Sequence, residues 1–518
     1  MRTQLLVLVA LLGCKKASEP STSGPARSTK DADALWALAP EKLKLGFVIT
    51  PRAMDMLEGG ALRLQALVQS APDLAFVKPR LDELTRELGG SFTGLADLGL
   101  DKSRGIAWFI GEDDVPLVAL PIADRAKLAR LSGQDFGTDP NKLGPMTCKT
   151  INTISICSQK PEALEKLGTA KVPAPLASLG VRGDIEVVGG TGELSGAGAI
   201  EIERGEAMAH VTVDGVPPNV ALPMGMQMAK PRVEPAHSVA FATTPITLFS
   251  QAVPPNLPLP GGGTAGDLFA TVNGPVTITI AAGTLTPDVR IPVSDPAPAQ
   301  RVIDQCKELI PPELLVETKE AGTCRFKVPQ YSIELDLWTE AKEVRLGTKQ
   351  AGPTGKTVTL TPLAKEIADQ SWSIAFWGRG TMFGATGFPA MANMSLPDQG
   401  NAMVRALSIL SEMGIAFRVE GKTAKGVFGF RTVYANPDDV VTKLLAIPPA
   451  DIIAGKADAV KAIAAGAPSS QFAGDYAAGQ GGLMVPTAVI GMLAAVAVPA
   501  FTKYMQRAKA SAPTQIIE

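Results

Sequence analysis

Thr147-Cys148-Lys149-Thr150-Ile151-Asn152-Thr153-Ile154-Ser155-Ile156-Cys157 decides how the rest of this chain is read. Apolar residues alternate with polar ones, the period-2 pattern of a strand whose two faces differ. Asn152-Thr153 stands at the midpoint, where a two-residue hairpin would turn. The spacing predicts the pairs Ile151–Ile154, Thr150–Ser155, Lys149–Ile156 and Cys148–Cys157. Counted outward from the turn, the last pair falls at a non-hydrogen-bonded site, where the Cα atoms are close enough for a disulfide.

The same alternation recurs on both sides of this hairpin. Strands are predicted at Leu45–Thr50, Gly105–Ile110, Pro116–Pro121, Ile185–Gly189, Ala197–Arg204, Ala207–Val213, Val276–Ala282, Tyr331–Trp338 and Ile415–Val419. Glu201-Ile202-Glu203 and Thr277-Ile278-Thr279-Ile280 show the one-wet-face pattern of antiparallel sheets. Helical spacing is predicted at Ala61–Ala71, Val77–Leu88, Asp124–Leu131, Pro161–Leu167, Pro298–Leu309 and Asn401–Met413. Asp124 and Asp295 each follow a strand and open a helix, so both read as N-caps. Gly (51) and Pro (42) are frequent enough to favour short elements and many turns. The fold class is therefore α+β, with largely antiparallel sheet.

Short matches in conserved order predict a diverged duplication. Leu120-Pro121-Ile122-Ala123-Asp124 matches Ile291-Pro292-Val293-Ser294-Asp295 at an offset of 171 (292 less 121). Thr147-Cys148-Lys149 matches Thr323-Cys324-Arg325 at 176, and Leu167-Gly168-Thr169 matches Leu346-Gly347-Thr348 at 179. Gly46-Phe47-Val48-Ile49-Thr50-Pro51 resembles the stretch Ala240–Pro245 at 194. A partial third copy is expected near Ser373–Trp377. The expected divisions are a first repeat over 34–235, a second over 236–466, a linker over 467–482 and a hydrophobic helix with basic tail over 483–510.

Both ends of the chain carry apolar signals. Met1-Arg2 is followed by the apolar run Leu5–Leu12 and by Gly13-Cys14, the layout of a secretory signal. Leu11-Leu12-Gly13-Cys14 resembles the bacterial lipoprotein signal. That resemblance implies that residues 1–13 are removed and Cys14 is acylated, with 14–33 as a flexible tether. At the other end, Leu483 to Phe501 is nineteen residues without a charge, about 28 Å as a helix, enough for a hydrocarbon core of roughly 30 Å. Its wording, Val489 to Phe501 running into Lys503, Arg507 and Lys509, resembles the hydrophobic helix of type IV pilins and pseudopilins. It departs from that family at Ala477 and Gly482, where pilins carry the cleavage glycine and a glutamate. A plain Ala-rich transmembrane helix is the other reading. Gly491, Ala494, Ala495 and Ala497 allow close helix packing, and Pro499 sits near the end, where a lost hydrogen bond costs least.

Five cysteines occur, and setting Cys14 aside leaves Cys148, Cys157, Cys306 and Cys324. An even remainder in an exported chain suggests two disulfides, although four cysteines allow three pairings. Cys306 on a helix and Cys324 at a strand start make a natural second bridge.

The sequence names no catalytic residue, metal or cofactor. His210 and His237 are the two histidines, and neither has a ligand partner at metal spacing. Gly355-Lys356-Thr357 and Gly421-Lys422-Thr423 lack the earlier glycine of a phosphate loop and read as hairpin turns. Forty-nine Lys and Arg against fifty-one Asp and Glu give a net charge of −2, so no nucleic-acid footprint exists. The expectation is a non-enzymatic envelope lipoprotein of a Gram-negative bacterium. Its body is periplasmic and anchored by lipid and helix, with the inner membrane favoured. Its expected partners are membrane lipid and pilus or secretion-system proteins. The alternative is a ligand- or polypeptide-binding lipoprotein with a cleft between the halves.

Overall fold

The structure is a computed structural model. It describes residues 29–70, 92–132, 139–165, 172–217, 230–233, 237–243, 255–281, 287–306, 312–328, 333–348, 360–379 and 410–432, apart from single positions within these stretches and with a few scattered others.

Described elements run in chain order. First come α1 (Thr29–Trp36), β1 (Leu43–Ile49), α2 (Pro51–Ser70), β2 (Ile106–Gly111), β3 (Pro116–Leu120), α3 (Arg125–Ser132), β4 (Lys142–Leu143), β5 (Met146–Ile151) and β6 (Ile154–Ser158). Next are α4 (Pro161–Glu165), α5 (Ala174–Leu179), β7 (Ile185–Thr191), β8 (Leu194–Glu203) and β9 (Glu206–Asp214). Then follow β10 (His237–Thr243), α6 (Ala265–Ala270), β11 (Val276–Ala281), β12 (Pro287–Pro292), α7 (Ala297–Asp304), β13 (Leu315–Val316), β14 (Thr323–Val328), β15 (Ile333–Glu340) and β16 (Glu343–Gly347). The last are α8 (Pro362–Asp369), β17 (Ile374–Arg379), β18 (Leu410–Glu420) and β19 (Thr423–Thr432).

These strands belong to two compact units. The first orders its strands β18-β19-β9-β8-β7-β1-β2-β3-β6-β5-β4. The second orders them β17-β10-β11-β12-β16-β15-β14-β13. Every one of these pairings is antiparallel. β9 and β10 fall in different units, and β18 and β19, expected in the second repeat, pair in the first unit through β9. Ile374–Trp377, expected to open a third copy, lies in β17 and pairs with β10.

The first unit folds around alternation. In β1, Val48 faces inward beside Ala107 and Phe109 of β2 and Leu117 and Ala119 of β3. Leu35 and Trp36 of α1 and Leu176 of α5 cover this face. The Trp36 ring lies so close to Gly46 that a Cβ there would meet it at 2.6 Å, so only glycine fits beneath the indole.

The predicted hairpin is found in the predicted register, from Ile151 opposite Ile154 to Cys148 opposite Cys157. Cys148 and Cys157 are bridged, with Cα atoms 4.0 Å apart. Asn152 and Thr153 hold the turn at φ 49° and 68°, the left-handed pair a tight two-residue hairpin needs. Cys306 and Cys324 form the second bridge at a Cα separation of 6.1 Å. Asp124 accepts from Ala126 and Lys127 N–H and caps α3, whereas Asp295, expected as an N-cap, stands one residue before the N-cap Pro296 of α7 and accepts from Ala297 N–H. Gly421-Lys422 is a hairpin turn between β18 and β19, with Gly421 at φ 60°. Met413, expected to end a helix begun at Asn401, lies in β18; its alternation with Ile415 and Phe417 and the long partner β19 override the helical spacing. Residues 401–409 lie outside the described residues.

The two units share pairing registers. Phe47 pairs with Trp108 and Val187, and Phe241 with Ile278 and Phe376. Val118 pairs with Trp108 and Cys157, and Val289 with Ile278 and Leu346. A bulge interrupts β1 between Leu43 and Leu45, and β10 between His237 and Val239. Asp101 N–H donates to Pro121 at 2.7 Å, and Asn273 N–H to Pro292 at 3.1 Å. These pairs keep the offsets 194 and 171 read from the sequence. The cysteine match at 176 is corrected. Cys148 pairs with Cys157 as Leu337 pairs with Leu346, an offset of 189 (337 less 148), and Cys324 lies one strand further out, opposite Leu337. Leu346, matched to Leu167 at 179, likewise answers to Cys157.

Candidate functional site

In the first unit, charge is buried in a built network. Glu186 of β7 is fully enclosed and receives four donors. Trp36 Nε1 donates at 2.7 Å, Arg182 Nε and Nη2 at 2.7 and 2.9 Å, and Gly183 N–H at 3.0 Å. Arg182 also reaches Asp33 of α1 at 2.8 Å. Burial works against the Arg182 charge, but Glu186 and Asp33 outweigh it and raise its pKa. A carboxylate fully paired in this way binds α1 to the sheet and has no lone pair to offer a substrate. Lys102 is held similarly by Asp55 and Glu58, which raise its pKa, while Glu58 accepts from Leu95 N–H at 2.7 Å.

The second unit replaces a dry core with ions. By register, Leu117, Ala119 and Ile156, all within 1 % of full burial, answer to Asp288, Arg290 and Arg345. Arg290 Nη2 donates to Asp288 at 2.8 Å and Arg345 Nη2 at 3.2 Å, with Arg232 3.7 Å away. Arg345 also pairs with Glu340 and stacks 5.1 Å over the Trp338 ring. Burial works to raise the Asp288 carboxyl, but Arg290 and Arg345 outweigh it and hold it below the usual carboxylate range. One strand out, Arg325 clasps Asp336 at 2.6 and 3.1 Å. These carboxylates accept from guanidinium groups, an arrangement that ties β12, β16, β15 and β14 together and is poorly suited to proton transfer.

The exposed chemistry of the first unit lies elsewhere, on four strands, β8, β9, β19 and β18. Residues directly opposite in a ladder share a face. One rung reads Gly198–Val211–Gly426–Phe417, and the next reads Ile200–Ala209–Phe428–Ile415. The flanking rungs run from Gly196 to Val419 and from Ile202 to Met413, so all sixteen positions of this face are apolar. Val211 is 47 % exposed, and Ile415 and Phe428 are 41 % exposed each. The opposite face carries His210, Thr212 and Glu412, all buried. That opposite face also carries the buried Ala197, Ala199, Ala416 and Val427, and on the apolar face Ile202 and Val419 are buried at 2 % and 3 %, so large apolar groups stand outward at Val211, Ile415 and Phe428. The Val211 methyls lie between two glycines, 3.5 Å from where a Cβ of Gly198 would stand and 3.1 Å from one at Gly426.

Sequence reasoning missed this surface. The period-2 signal Met413-Ile415-Phe417-Val419 and Ala424-Gly426-Phe428-Phe430 was present, but nothing local tells which strands lie side by side. Of the predicted site residues, the structure joins Cys148 with Cys157 and Cys306 with Cys324. His210 lies in β9 with Nδ1 3.9 Å from Glu201. Cys14, the Leu483–Phe501 helix with Gly491, Ala494, Ala495 and Pro499, and the flank Lys503, Arg507 and Lys509 lie outside the described residues. Among the described residues no helix is long and apolar enough to cross a membrane, and no group of three or more His, Cys, Asp or Glu is placed to hold a metal ion.

No family model and no curated protein match the chain. Among solved structures it is similar to crystal form I of TP0453, with a TM-score of 0.21 and 12 % identity over 41 % of this chain and 95 % of that one. At that score the likeness carries no argument.

Proposed function

We propose that this chain is a non-enzymatic envelope lipoprotein, acylated at Cys14, anchored a second time by Leu483–Phe501, and acting as a scaffold or accessory factor of a pilus-type or secretion machine. The observation that carries the reading is the pair of closed bridges, Cys148–Cys157 and Cys306–Cys324. Thiols in the cytosol stay reduced, whereas exported bodies are oxidised. The Gly491 helix, by its likeness to pilins, supports the choice of machine. The body is two diverged repeats, a reading supported by the shared registers, the shared bulge and the matching carboxylates Asp124 and Asp295, each accepting from the backbone N–H two residues on. Substitution Cys14→Ser tests the anchor. The wild type takes up a radiolabelled fatty acid and the variant does not; an unlabelled wild type overturns the proposal. Affinity purification after crosslinking, probed for pilus and secretion proteins, tests the assignment to a machine.

A second reading, a lipoprotein that binds a polypeptide, is favoured by the outward apolar rungs at Val211, Ile415 and Phe428. Recovery of unfolded client chains, with no pilus or secretion protein, would select it.

A further inference from the structure

The hairpins β8–β9 and β18–β19 answer to each other residue for residue. Ala199-Ile200-Glu201-Ile202-Glu203 matches Ala416-Phe417-Arg418-Val419-Glu420 at an offset of 217 (416 less 199), and Ala207 and Ala424 keep that offset on the return strand. Glu203 stands opposite Glu206 in one hairpin and Glu420 opposite Thr423 in the other, again 217 apart. The hairpins also follow equivalent strands. Phe47 of β1 pairs with Val187 of β7 as Phe241 of β10 pairs with Phe376 of β17, and β18 is the next described strand after β17 as β8 is after β7.

The ladder between β9 and β19 has the symmetry this equivalence implies. Moved back by 217, Thr423 becomes position 206 and Arg431 becomes position 214. The pair Thr423–Asp214 then reads 206–214, and the pair Arg431–Glu206 reads 214–206. Exchanging the two strands therefore returns the same ladder. His210, opposite Val427, is the one position set against itself, and the twofold axis passes there. Two copies of one strand edge meet in this isologous way. The strands differ at the ends of the ladder. Two copies of β9 would set Glu206 against Asp214 at both ends, and like charges directly opposite are destabilising. β19 instead offers Thr423, whose Oγ1 donates to Asp214 at 2.6 Å, and Arg431, which stands opposite Glu206.

We propose that β9 is a self-pairing edge whose fitting partner is a second copy of its own hairpin, that β18–β19 is that copy supplied by the second repeat, and that Thr423 and Arg431 make β19 a better partner for β9 than β9 itself. The proposal rests on the two-repeat reading of the body and is independent of Cys14 and of the C-terminal helix.

Backbone amide exchange along β9, read by mass spectrometry on the full chain, tests it. Lys425→Met, Gly426→Ala, Val427→His, Phe428→Val, Gly429→Thr and Phe430→Val together give β19 the residues of Met208 to Val213. β9 should then exchange within about twofold of its rate in the natural chain. The same six residues in reverse order interchange the two faces and should speed β9 exchange roughly tenfold or more. Adding Thr423→Glu and Arg431→Asp to the forward copy sets acid against acid at both ends. Exchange should then rise about threefold at low salt and fall back in about 0.5 M salt. Equal exchange in the forward and reversed chains overturns the proposal, as does a forward copy that exposes β9 while β1 stays protected and Cys148–Cys157 stays closed. Either outcome would leave the two-repeat reading on the registers of β1–β3 and β10–β12. No rise with the added acids overturns the assignment of the ends. If β1 loses protection too, the chain has misfolded, and the milder Gly426→Ala, Phe428→Val and Phe430→Val chain decides by the same readout.

Discussion

Trp36 and Glu186 lie 150 residues apart in sequence and share a hydrogen bond, indole Nε1 to carboxylate Oε2 at 2.7 Å, at a point that solvent does not reach. The bond fastens α1 across β7, and the same carboxylate holds Arg182. Trp36→Phe keeps the ring packing on Phe109 but removes one donor from a buried acceptor, which costs about 1–3 kcal/mol. Arg182→Met strands the charge itself, and about 3–5 kcal/mol is expected. Urea unfolding measures both, and an Arg182→Met loss smaller than that of Trp36→Phe would show that the ion pair contributes little.

Thr153 sits at φ 68°, a conformation that a β-branched residue adopts under strain. Thr153→Gly creates the Asn-Gly pair that such turns prefer. A gain of about 0.5–1 kcal/mol is expected, visible as a raised urea midpoint at unchanged slope. An unchanged or lowered midpoint would mean that Asn152 alone decides the turn.

The two bridges close loops of different length, with sequence separations of 9 and 18. Chain entropy assigns about 2.7 kcal/mol to the shorter and about 3.2 kcal/mol to the longer. Replacing Cys306 and Cys324 by Ala should therefore lower stability slightly more than replacing Cys148 and Cys157. Intact-mass measurement should add four alkyl groups to these four cysteines after reduction and none before. Alkylation of the unreduced exported protein would refute the bridges.

Asp288 and Glu340 are both held below the ordinary carboxylate range, Asp288 by Arg290 and Arg345 against its burial, Glu340 by Arg345 and Trp338. A depressed folded value means the stabilisation is complete above the unfolded pKa of about 4 and is lost as pH falls through the lower folded value. The thermal midpoint should therefore drop between about pH 5 and pH 2, and less steeply in Asp288→Asn. Equal slopes in the two proteins would remove Asp288 from the account.

Leu483–Phe501 is followed by Lys503, Arg507 and Lys509, while the linker Ala467–Gly482 carries only Asp475. If Leu483–Phe501 spans a membrane, as proposed, the positive-inside rule predicts a cytoplasmic C-terminus. A reporter active only in the cytoplasm, fused after Glu518, should give signal. An intact but silent fusion, with its tail open to protease from the periplasm, would favour filament packing or surface association instead.

What could be read from the sequence was local. Cys148–Cys157 was legible because nine residues and one turn determine every partner in that hairpin. The cap Asp124 was legible because a cap is decided within three residues; Asp295 was placed one residue out, because Pro296 takes the N-cap position of α7. The place of Cys324 was not, because a repeated Thr-Cys-basic triplet outweighed pairing that only a formed sheet reveals. The ions at Asp288, Arg290 and Arg345 escaped notice for the same reason: they replace Leu117, Ala119 and Ile156 only once register is known. The open face at Val211 and Phe428 depends on strands 209 residues apart becoming neighbours, as Thr423 and Asp214 do.

That last separation bears on how the chain is made. β9 leaves the ribosome long before β19, its partner on one side. At about 5–20 residues per second, 209 residues take roughly 10–40 s to synthesise. For that interval the first unit has an unpaired strand edge beside an uncovered apolar row, while all of β10–β17 is produced. Such an edge is a template for wrong pairing. The order of the strands thus assigns the first unit a long wait with one strand edge unpaired.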